Sequence, residues 1–363
     1  MLTVLLATRN RAGILKTVLD AYCRLLSPPG GWKFVIVDNG SSDDTAKVVG
    51  MYRSKLPLTL VSESHRGKNR ALNRGLQYAV GDLVVFTDDD TLPTPMWLRE
   101  MRACADRRPS FAIFGGPILP IWEQPPEEWL LRAVRLDAAF AILEPQPDAS
   151  IRPWRVFGPN MAIRSQVLSR GYRFDESIGP DGSTNYAMGS ETELILRLTQ
   201  AGHEAWHCSS AIVHHFVQSR QMVADAILRR AFRLGRGLYR LESEFGGPLR
   251  LVFAGAPQPL PRSKAEPKIT RGPLIHQAIR VVQAYSKRSA SDALKERWQW
   301  HYLKGRAFEA RHLAHPGRNP MRSVRNAVRT IVLKTNTHWP FTRLNRMPYH
   351  LALRKLLAGC RVF

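Results

Sequence analysis

The feature that most constrains the fold is a regular alternation of short β-rich runs with helical patterns in the first 110 residues. Strand candidates, separated by segments of helical spacing, fall at Thr3–Ala7, Phe34–Val37, Leu58–Val61 and Leu83–Thr87. Such alternation is typical of βαβ units, whose strands run parallel in one sheet. We therefore predict an α/β fold in which a mostly parallel central sheet is flanked by helices.

The pattern continues less regularly to about residue 219. Phe111–Ile118 has the composition of a further buried strand, and residues 119–153 are expected to form a long excursion over the surface. A helix fits Glu191–Ala201, with Gly202 as its stop. Ala211–Phe216 fits a last strand.

Net charge divides the chain at the same place. Residues 1–219 hold 24 Lys and Arg and 23 Asp and Glu, whereas residues 220–363 hold 29 and 7. Helical patterns in the second region occur at Met222–Glu242, Pro273–Ser286, Ala290–Arg311 and Leu351–Leu357. We place a domain boundary near residue 219 and expect a basic, mainly α-helical region over 220–363.

The cysteines and the apolar runs bear on the compartment. Cys23, Cys104, Cys208 and Cys360 are widely spaced, so we expect reduced thiols rather than a disulfide framework or a zinc site. The opening Met1–Thr8 is too short for a signal peptide, and no 18-residue apolar run predicts a transmembrane helix. The expected location is the cytoplasm.

Polar side chains gather where the predicted strands end, which is where ligands bind in open α/β sheets. The first strand ends in Thr8-Arg9-Asn10-Arg11, and the fourth ends in Asp88-Asp89-Asp90. The second strand ends in a polar segment whose first residue is Asp38. This edge of the sheet is therefore predicted to form a polar ligand site.

Three successive carboxylates repel one another unless a cation lies among them. Mg²⁺ or Mn²⁺ takes oxygen ligands, and Mg²⁺ is usually held by one or two carboxylates together with substrate phosphates. In an extended segment Asp88 and Asp90 share one face, so we expect them to converge on a metal. A solvated acidic turn is the alternative, and the apolar run Leu83–Phe86 before it favours the metal–diphosphate site.

Two further groups suit a nucleotide. Asp38 follows an apolar strand and can accept hydrogen bonds from a ribose hydroxyl or a base N–H. Lys68 lies at the start of a helix, where it and the backbone N–H groups suit an anionic ligand. The alternatives are a turn cap for Asp38 and a solvated helix end for Lys68.

A second polar cluster covers Gly189–Leu194. Ser190 as N-cap with Glu193 at the third helical position predicts a capping box. Glu191 then remains free to point into the cleft as a general base. His214-His215 closes the last strand, and two histidines in a chain with a predicted metal site are candidate ligands.

Together these pieces resemble the family 2 glycosyltransferases, inverting enzymes with the Rossmann-like GT-A fold that use nucleotide sugars. Seven short motifs occur in the order of that family, and they are Thr8–Arg11, Val37–Thr45, Gly67–Gly75, Phe86–Thr91, Gly158–Ala162, Gly189–Leu194 and Val213–His215. The resemblance covers residues 1–240 approximately, about two thirds of the chain.

The resemblance implies a role for each matching position. Contacts to the nucleotide sugar are expected from Thr8, Arg11, Asp38, Lys68, Asp88 and Asp89. Asp88 and Asp90 would form the D-x-D pair that holds Mg²⁺ or Mn²⁺ and the donor diphosphate. His215 or His214 would complete the metal contacts, and the spacing from Ala211 favours His215.

Glu191 lies where such enzymes place the catalytic base, with one departure from the family pattern. The family commonly has Glu-Asp where this chain has Ser190-Glu191, so Glu191 replaces Asp as base if Leu194 and Arg197 fix the register. If the register differs by one residue, Thr192 faces the site and Glu191 is structural.

The implied reaction moves a sugar from a nucleotide-diphosphate sugar to an acceptor hydroxyl, in cell-surface polysaccharide or glycoconjugate synthesis. A UDP-sugar is the expected donor, and the acceptor is a glycan, a lipid-linked glycan or a small molecule. A sugar-phosphate nucleotidyltransferase is the first alternative, but Thr8–Gly13 is a poor match for the Gly-rich basic loop it would need.

A basic nucleic-acid-binding protein is the second alternative, although no known nucleic-acid motif occurs in residues 220–363. We expect no nucleic-acid partner. Met222–Glu242 instead has the pattern of a basic amphipathic helix, which either lies on an anionic membrane surface or packs on the catalytic domain. The first arrangement would place the enzyme at the inner face of the plasma membrane.

Overall fold

A computed structural model of the chain describes residues 1–246, 277, 280 and 290–314. Apart from residues 277 and 280, the predicted helix at 273–286 lies outside the described residues. The predicted helix at 351–357 lies wholly outside them.

Two β-sheets contain the strands. The strands are β1 Leu2–Thr8, β2 Trp32–Asp38, β3 Leu58–Ser62, β4 Leu83–Thr87, β5 Thr91–Pro93, β6 Ile113–Gly115, β7 Ile118–Trp122, β8 Ala149–Ile151, β9 Met161–Arg164, β10 Ala205–His207 and β11 Val213–Val217. The large sheet has the order β3-β2-β1-β4-β9-β6-β10-β8, and the small sheet has the order β5-β11-β7. In the large sheet all strands except β8 and β9 point the same way. The predicted α/β class with a mostly parallel central sheet is confirmed.

Helices connect the strands and continue beyond them. The α-helices are α1 Ala12–Tyr22, α2 Thr45–Gly50, α3 Lys68–Leu76, α4 Trp97–Arg107, α5 Glu128–Ala133, α6 Leu136–Phe140, α7 Ser165–Leu168, α8 Ser190–Gln200, α9 Ser219–Met222, α10 Ala224–Phe245 and α11 Ala290–Ala314. Two short 3-10 helices cover Pro153–Arg155 and Gly158–Asn160.

Both faces of the large sheet are covered, because β1 sends alternate side chains to opposite sides. Leu2, Val4 and Leu6 pack into one cluster with residues of α1 and α4. Leu5 packs into a second cluster with residues of α3 and α8. Burying each leucine contributes about 1.5–3 kcal/mol to the free energy of folding. The three packed layers therefore hold the ends of the central strands in place.

The segment after α4 differs from its prediction. Phe111–Ile118 is not one strand, because β6 belongs to the large sheet and β7 to the small one. A Cβ on Gly116 would lie 2.3 Å from the Ala211 carbonyl oxygen, and Pro117 lacks the N–H that a continuous strand needs. The expectation of an excursion over 119–153 is also wrong, since this stretch contains β7, α5, α6 and β8.

Two of the cysteines also differ from their prediction. Cys104 of α4 and Cys208, which follows β10, form a disulfide bond. Both residues are buried at the side of the sheet. The expectation of reduced thiols is therefore wrong for this pair, because folding brings together two positions far apart in the sequence.

The last described helices, α10 and α11, pack against each other at close range. A Cβ on Gly235 would lie 1.9 Å from the Tyr302 carbonyl oxygen, and one on Gly305 would lie 1.9 Å from that of Phe232. Apolar residues of α10, including Ile227 and Leu228, are buried. The apolar face of this helix is thus covered by protein.

None of the helices within the described ranges combines the length and the apolar character needed to cross a membrane.

Candidate active site

The carboxyl ends of β1, β2 and β4 lie side by side and build the floor of the site. Thr8 is the register partner of Asp38 in the parallel pair of β1 and β2. The Thr8 hydroxyl donates to Asp89 Oδ2 at 2.8 Å, just past the end of β4. Asp38 Oδ1 accepts from the backbone N–H of Ser41 at 3.0 Å, which fixes the turn after β2. The predicted strand-end residues therefore meet at one edge of the sheet.

Arg11 joins two of the three successive carboxylates. Its Nε lies 3.2 Å from Asp89 Oδ1, and its Nη2 lies 3.2 Å from Asp90 Oδ2. Burial acts to lower the pKa of Arg11, but Asp89, Asp90 and Asp88 outweigh it and raise that pKa. Burial raises the pKa of Asp89 to about 6 against the opposing effect of Arg11. One arginine thus compensates only part of the negative charge.

Lys68 joins the remaining carboxylate to Glu191. Its Nζ lies 2.6 Å from Asp88 Oδ1 and 3.0 Å from Glu191 Oε1. Burial opposes the charge of Lys68, yet Asp88 and Glu191 raise its pKa overall. Burial likewise acts to raise the pKa of Glu191, but Lys68 lowers it below the ordinary value. Glu191 is therefore ionised at neutral pH.

The three aspartates do not follow the alternation of an extended strand. Residues 89 and 90 lie in a turn, in which the Thr91 N–H donates to the Asp88 carbonyl at 3.2 Å. The strand geometry that predicts a shared face for Asp88 and Asp90 ends at Thr87. Asp88 consequently contacts Lys68, whereas Asp90 contacts Arg11.

The start of α8 presents Glu191 without the predicted capping box. Gly189, with a φ of 112°, is the N-cap, and Ser190 is the first helical residue. The Ser190 hydroxyl donates to Glu191 Oε2 at 3.0 Å, and Glu193 pairs with Arg197 instead of capping the helix. The capping-box prediction is wrong because glycine takes the left-handed position that the turn requires.

Gly158 makes room for the Glu191 carboxylate. A Cβ at position 158 would lie 2.6 Å from Glu191 Oε1 and 2.9 Å from its Cδ. Any larger residue in this 3-10 helix would therefore displace the carboxylate. The predicted motif Gly158–Ala162 thus contributes backbone space to the site.

His215 reaches the site from β11 of the small sheet. Its Nδ1 lies 2.6 Å from the Phe140 carbonyl oxygen, and its Nε2 lies 3.4 Å from Asp90 Oδ1. Burial acts to lower the pKa of His215, but Asp90 raises it overall. His214 alternates to the opposite face of β11 and is less buried. The structure therefore brings His215, and not His214, to the aspartates.

The fit of a divalent cation can be judged from these contacts. Within the described part of the chain, no group of three or more His, Cys, Asp or Glu side chains is arranged to hold a metal ion. In neutral His215, Nδ1–H donates to Phe140 and leaves the Nε2 lone pair facing Asp90. One carboxylate and one imidazole fit Mg²⁺ or Mn²⁺ when phosphate oxygens complete the ligand set. These residues therefore suit a cation that binds together with a phosphorylated ligand.

Arg230 of α10 lies near the site, and the sequence did not single it out. Its Nε donates to the Ala138 carbonyl at 2.7 Å, on the same short helix α6 whose Phe140 carbonyl bonds His215. Burial and the neighbouring Arg233 lower its pKa, while Tyr186, Glu191 and Asp90 act in the opposite direction. Its guanidinium therefore lies within electrostatic reach of the site carboxylates. Its basic character was the only sequence signal.

Comparisons with known proteins agree with these motifs. Residues 3–167 match the family model described as glycosyl transferase family 2. A PGL/p-HBAD biosynthesis glycosyltransferase of Mycobacterium tuberculosis is 27% identical over 123 residues, which cover 33% of this chain and 47% of the relative. The chain thus spans about half the length of this curated relative.

Two further proteins are similar to this chain over a larger part of its length. Glycosyltransferase AglE of Haloferax volcanii is 25% identical over 255 residues, which cover 69% of this chain and 77% of AglE. A solved mannosyltransferase, PcManGT of Pyrobaculum calidifontis in complex with GDP-Man and Mn²⁺, is 19% identical with a TM-score of 0.49 and covers 99% of this chain and 85% of its own. The fold assignment rests on the sheet order and the family match. Residues 3–167, somewhat less than half of the chain, are therefore similar to the family 2 glycosyltransferases.

Proposed function

We propose that the protein transfers a sugar from a nucleoside-diphosphate sugar to an acceptor hydroxyl with inversion at the anomeric carbon. The family match over residues 3–167 supports the class of reaction. The relatives named above are glycosyltransferases, which agrees with it. A nucleotidyltransferase, the first alternative, gains no support from either source.

The observation that carries the proposal is the contact of Glu191 with Lys68. The carboxylate is ionised, partly buried and 3.0 Å from an ammonium that also bonds Asp88. An ionised carboxylate fixed beside the strand-end aspartates can accept the proton of an acceptor hydroxyl. The hydroxyl oxygen then attacks the anomeric carbon, and the bond from that carbon to the diphosphate oxygen breaks.

The other residues would bind the donor. Thr8, Arg11 and Asp38 lie where the nucleoside is expected, at the carboxyl ends of β1 and β2. Lys68 and Arg11 supply positive charge beside the carboxylates. We propose that Asp89 contacts the donor as well, through its position between Thr8 and Arg11.

We also propose that Mg²⁺ or Mn²⁺ acts with the donor. Asp90 and His215 would hold the ion, with Asp88 nearby, and the ion would offset negative charge on the departing nucleoside diphosphate. The opposed Asp90 carboxylate and His215 Nε2 support this assignment. A UDP-sugar is the donor we expect, and a glycan, a lipid-linked glycan or a small molecule is the acceptor.

For the basic C-terminal region we propose attachment to an anionic membrane surface, with the enzyme acting from the cytoplasm. The apolar face of α10, for which the sequence left open either contact with lipid or packing on the protein, is buried. Residues 315–363 contain ten Lys and Arg and no Asp or Glu, so they carry the charge that suits such a surface. The nucleic-acid alternative is weakened because Arg236, Arg240 and Arg306 form buried ion pairs inside the protein.

The reaction can be tested by following release of nucleoside diphosphate from a panel of UDP-, GDP- and dTDP-sugars with Mg²⁺ or Mn²⁺. Glu191→Gln should lower kcat by about 100-fold or more while donor binding persists, because the proton acceptor is lost. Asp90→Ala should abolish metal-dependent transfer. Thr192→Val is the matched control, since it should leave turnover unchanged.

Three results would each contradict a part of the proposal. Unaltered turnover in Glu191→Gln, with loss in Thr192→Val, would shift the register by one residue. Full metal-dependent activity in Asp90→Ala would remove Asp90 from the metal site. Absence of transfer from every donor in the panel would count against the proposed reaction itself.

A further inference from the structure

A buried carboxylate in the C-terminal region organises two arginines. Glu309 of α11 is fully buried, with 0% exposure. Its Oε2 lies 2.6 Å from Arg236 Nε, and its Oε1 lies 2.9 Å from Arg240 Nε and 2.6 Å from Arg240 Nη2. Arg236 and Arg240 are four residues apart on α10, so they lie on one face of that helix. A buried charge is tolerated only when hydrogen bonds satisfy it, and these three bonds do so.

The same two arginines bind two points of one loop, residues 177–189. Arg240 Nη1 donates to the Ser177 carbonyl at 2.9 Å, and Arg236 Nη1 donates to the Asn185 carbonyl. The loop 177–189, which contains both anchors, closes on itself because the Gly179 N–H donates to the Ala187 carbonyl at 2.8 Å. Because a guanidinium is rigid and planar, fixing one edge on Glu309 also fixes the edge that faces the loop.

The held loop leads directly into the proposed base. Met188 donates its N–H to the Arg233 carbonyl at 3.2 Å, and a Cβ on Gly237 would lie 1.6 Å from the Met188 carbonyl oxygen. Gly189 then caps α8, and Glu191 is its second residue. Only a few residues separate the contacts of Met188 with α10 from Glu191. A shift of the arginines would therefore move the Glu191 carboxylate.

We infer that Glu309 is a positioning residue for Glu191, acting through Arg236, Arg240 and the loop 177–189. The inference rests on the proposed role of Glu191 as base. It assigns the C-terminal helix pair a part in catalysis that is separate from any role of the basic charge. The loop position would set how Glu191 meets the acceptor hydroxyl. The loop also reaches a donor-binding residue, because the Lys68 N–H donates to the Pro180 carbonyl at 2.8 Å.

The same helix pair offers a matched control. Glu242 of α10 pairs with Arg306 of α11, and both are almost as buried as Glu309, with exposures of 2% and 7%. Arg306 lies near Tyr239 and Tyr302, so this ion pair stays between the two helices. Glu242→Gln therefore removes a comparable buried charge without touching the loop anchors.

The test compares Glu309→Gln with Glu242→Gln in the full-length protein. Both variants should lower thermal stability. Only Glu309→Gln should speed backbone hydrogen exchange in residues 177–189, and only it should lower kcat by about tenfold or more, because small misplacements of a reacting group are costly. Arg240→Lys keeps a positive charge beside Glu309 but loses the planar fork that also reaches the Ser177 carbonyl, so it should give the same pattern and replaces Glu309→Gln if that variant does not fold.

Equal losses of kcat in Glu309→Gln and Glu242→Gln, or unchanged hydrogen exchange in the loop, would overturn the inference and leave Glu309 a stabilising residue only. Hydrogen exchange needs no turnover. Suppose that the wild type transfers no sugar, yet Glu309→Gln alone speeds hydrogen exchange in residues 177–189. That result would refute the proposed function and keep the mechanical coupling between Glu309 and the loop.

Discussion

At the scale of single residues, the three successive aspartates have unequal environments. Asp90 has a lowered pKa, since His215 and Arg11 outweigh the effect of its burial. Asp89 has a pKa raised to about 6 by burial, although Arg11 contacts it. The folded protein thus stabilises one ionised carboxylate and disfavours its neighbour. A site that binds a cation or a polar ligand can carry such a penalty, because the ligand relieves it.

The penalty predicts a pH-dependent effect of Asp89→Asn on stability. A carboxylate whose folded pKa is raised destabilises the protein above that pKa, and the penalty disappears below the unfolded value of 3.8. Asp89→Asn should therefore raise the free energy of unfolding at pH 7 by on the order of 1–3 kcal/mol. The gain should shrink as the pH falls from about 6 to about 4. Thermal unfolding in a chelating buffer measures it.

Asp90→Asn is the control with the opposite sign. Its folded pKa is lowered, so ionised Asp90 contributes stability at pH above its unfolded value, and this contribution is lost as the pH falls through the folded pKa. The Asn variant should be less stable than wild type at pH 7. If both variants shift stability in the same direction at pH 7, the charge balance described for Arg11, Asp89 and Asp90 is incorrect.

At the same scale, the sequence could locate the residues at strand ends but not those that tertiary contacts bring in. Thr8, Asp38 and the aspartates lie at or just past the carboxyl ends of strands that local patterns locate, and parallel strands bring those ends to one edge, so their meeting was predictable. Arg230 arrives on a helix whose docking depends on contacts with distant residues, such as Ala138. The Cys104–Cys208 bond joins positions 104 residues apart, and nothing local indicates it.

At the scale of elements, the longest helices were predicted best, because each is a run of more than twenty residues without proline. The helix predicted at 290–311 is observed as Ala290–Ala314, and that at 222–242 as Ala224–Phe245. The three-residue strands β5, β8 and β10 have too little pattern to be seen. Their pairing depends on neighbouring strands instead of on their own sequence.

The 3-10 helix Gly158–Asn160 and the start of α8 form one unit, which Gly158→Ala should disturb. The added Cβ would press against Glu191, so the carboxylate must move. We expect kcat to fall by about tenfold or more with little change in donor affinity, since only the reacting group is displaced. Turnover and donor binding, measured separately, check this.

Gly13→Ala is a suitable comparison, because nothing lies within 4 Å of a Cβ at that position of α1. It should leave kcat unchanged. Glu191→Asp shortens the side chain, so combining it with Gly158→Ala should cost less than the two single effects together. Strict additivity of the two changes would argue against a direct contact between Gly158 and Glu191.

At the scale of the whole molecule, the basic charge falls into two groups of residues that the sequence alone could not separate. Arg236, Arg240 and Arg306 of α10 and α11 form buried ion pairs with Glu309 and Glu242, which join the two helices. Their charge is therefore not available to a partner. The ten Lys and Arg of residues 315–363 have no acidic residue among them. An attraction to an anionic surface should consequently depend on this last segment.

This division predicts the outcome of liposome flotation. The full-length chain should float with vesicles that contain anionic lipid and remain behind with neutral ones, because each Lys or Arg near the surface contributes about 1 kcal/mol. A chain ending at Ala314 should lose the difference while keeping its fold and its hydrogen-exchange pattern in residues 177–189. Binding of the full-length chain should weaken as salt rises, since screening shortens the reach of the charges. Equal flotation of the shortened chain would place the attachment on the helices, and no preference for anionic lipid would remove the membrane from the proposal.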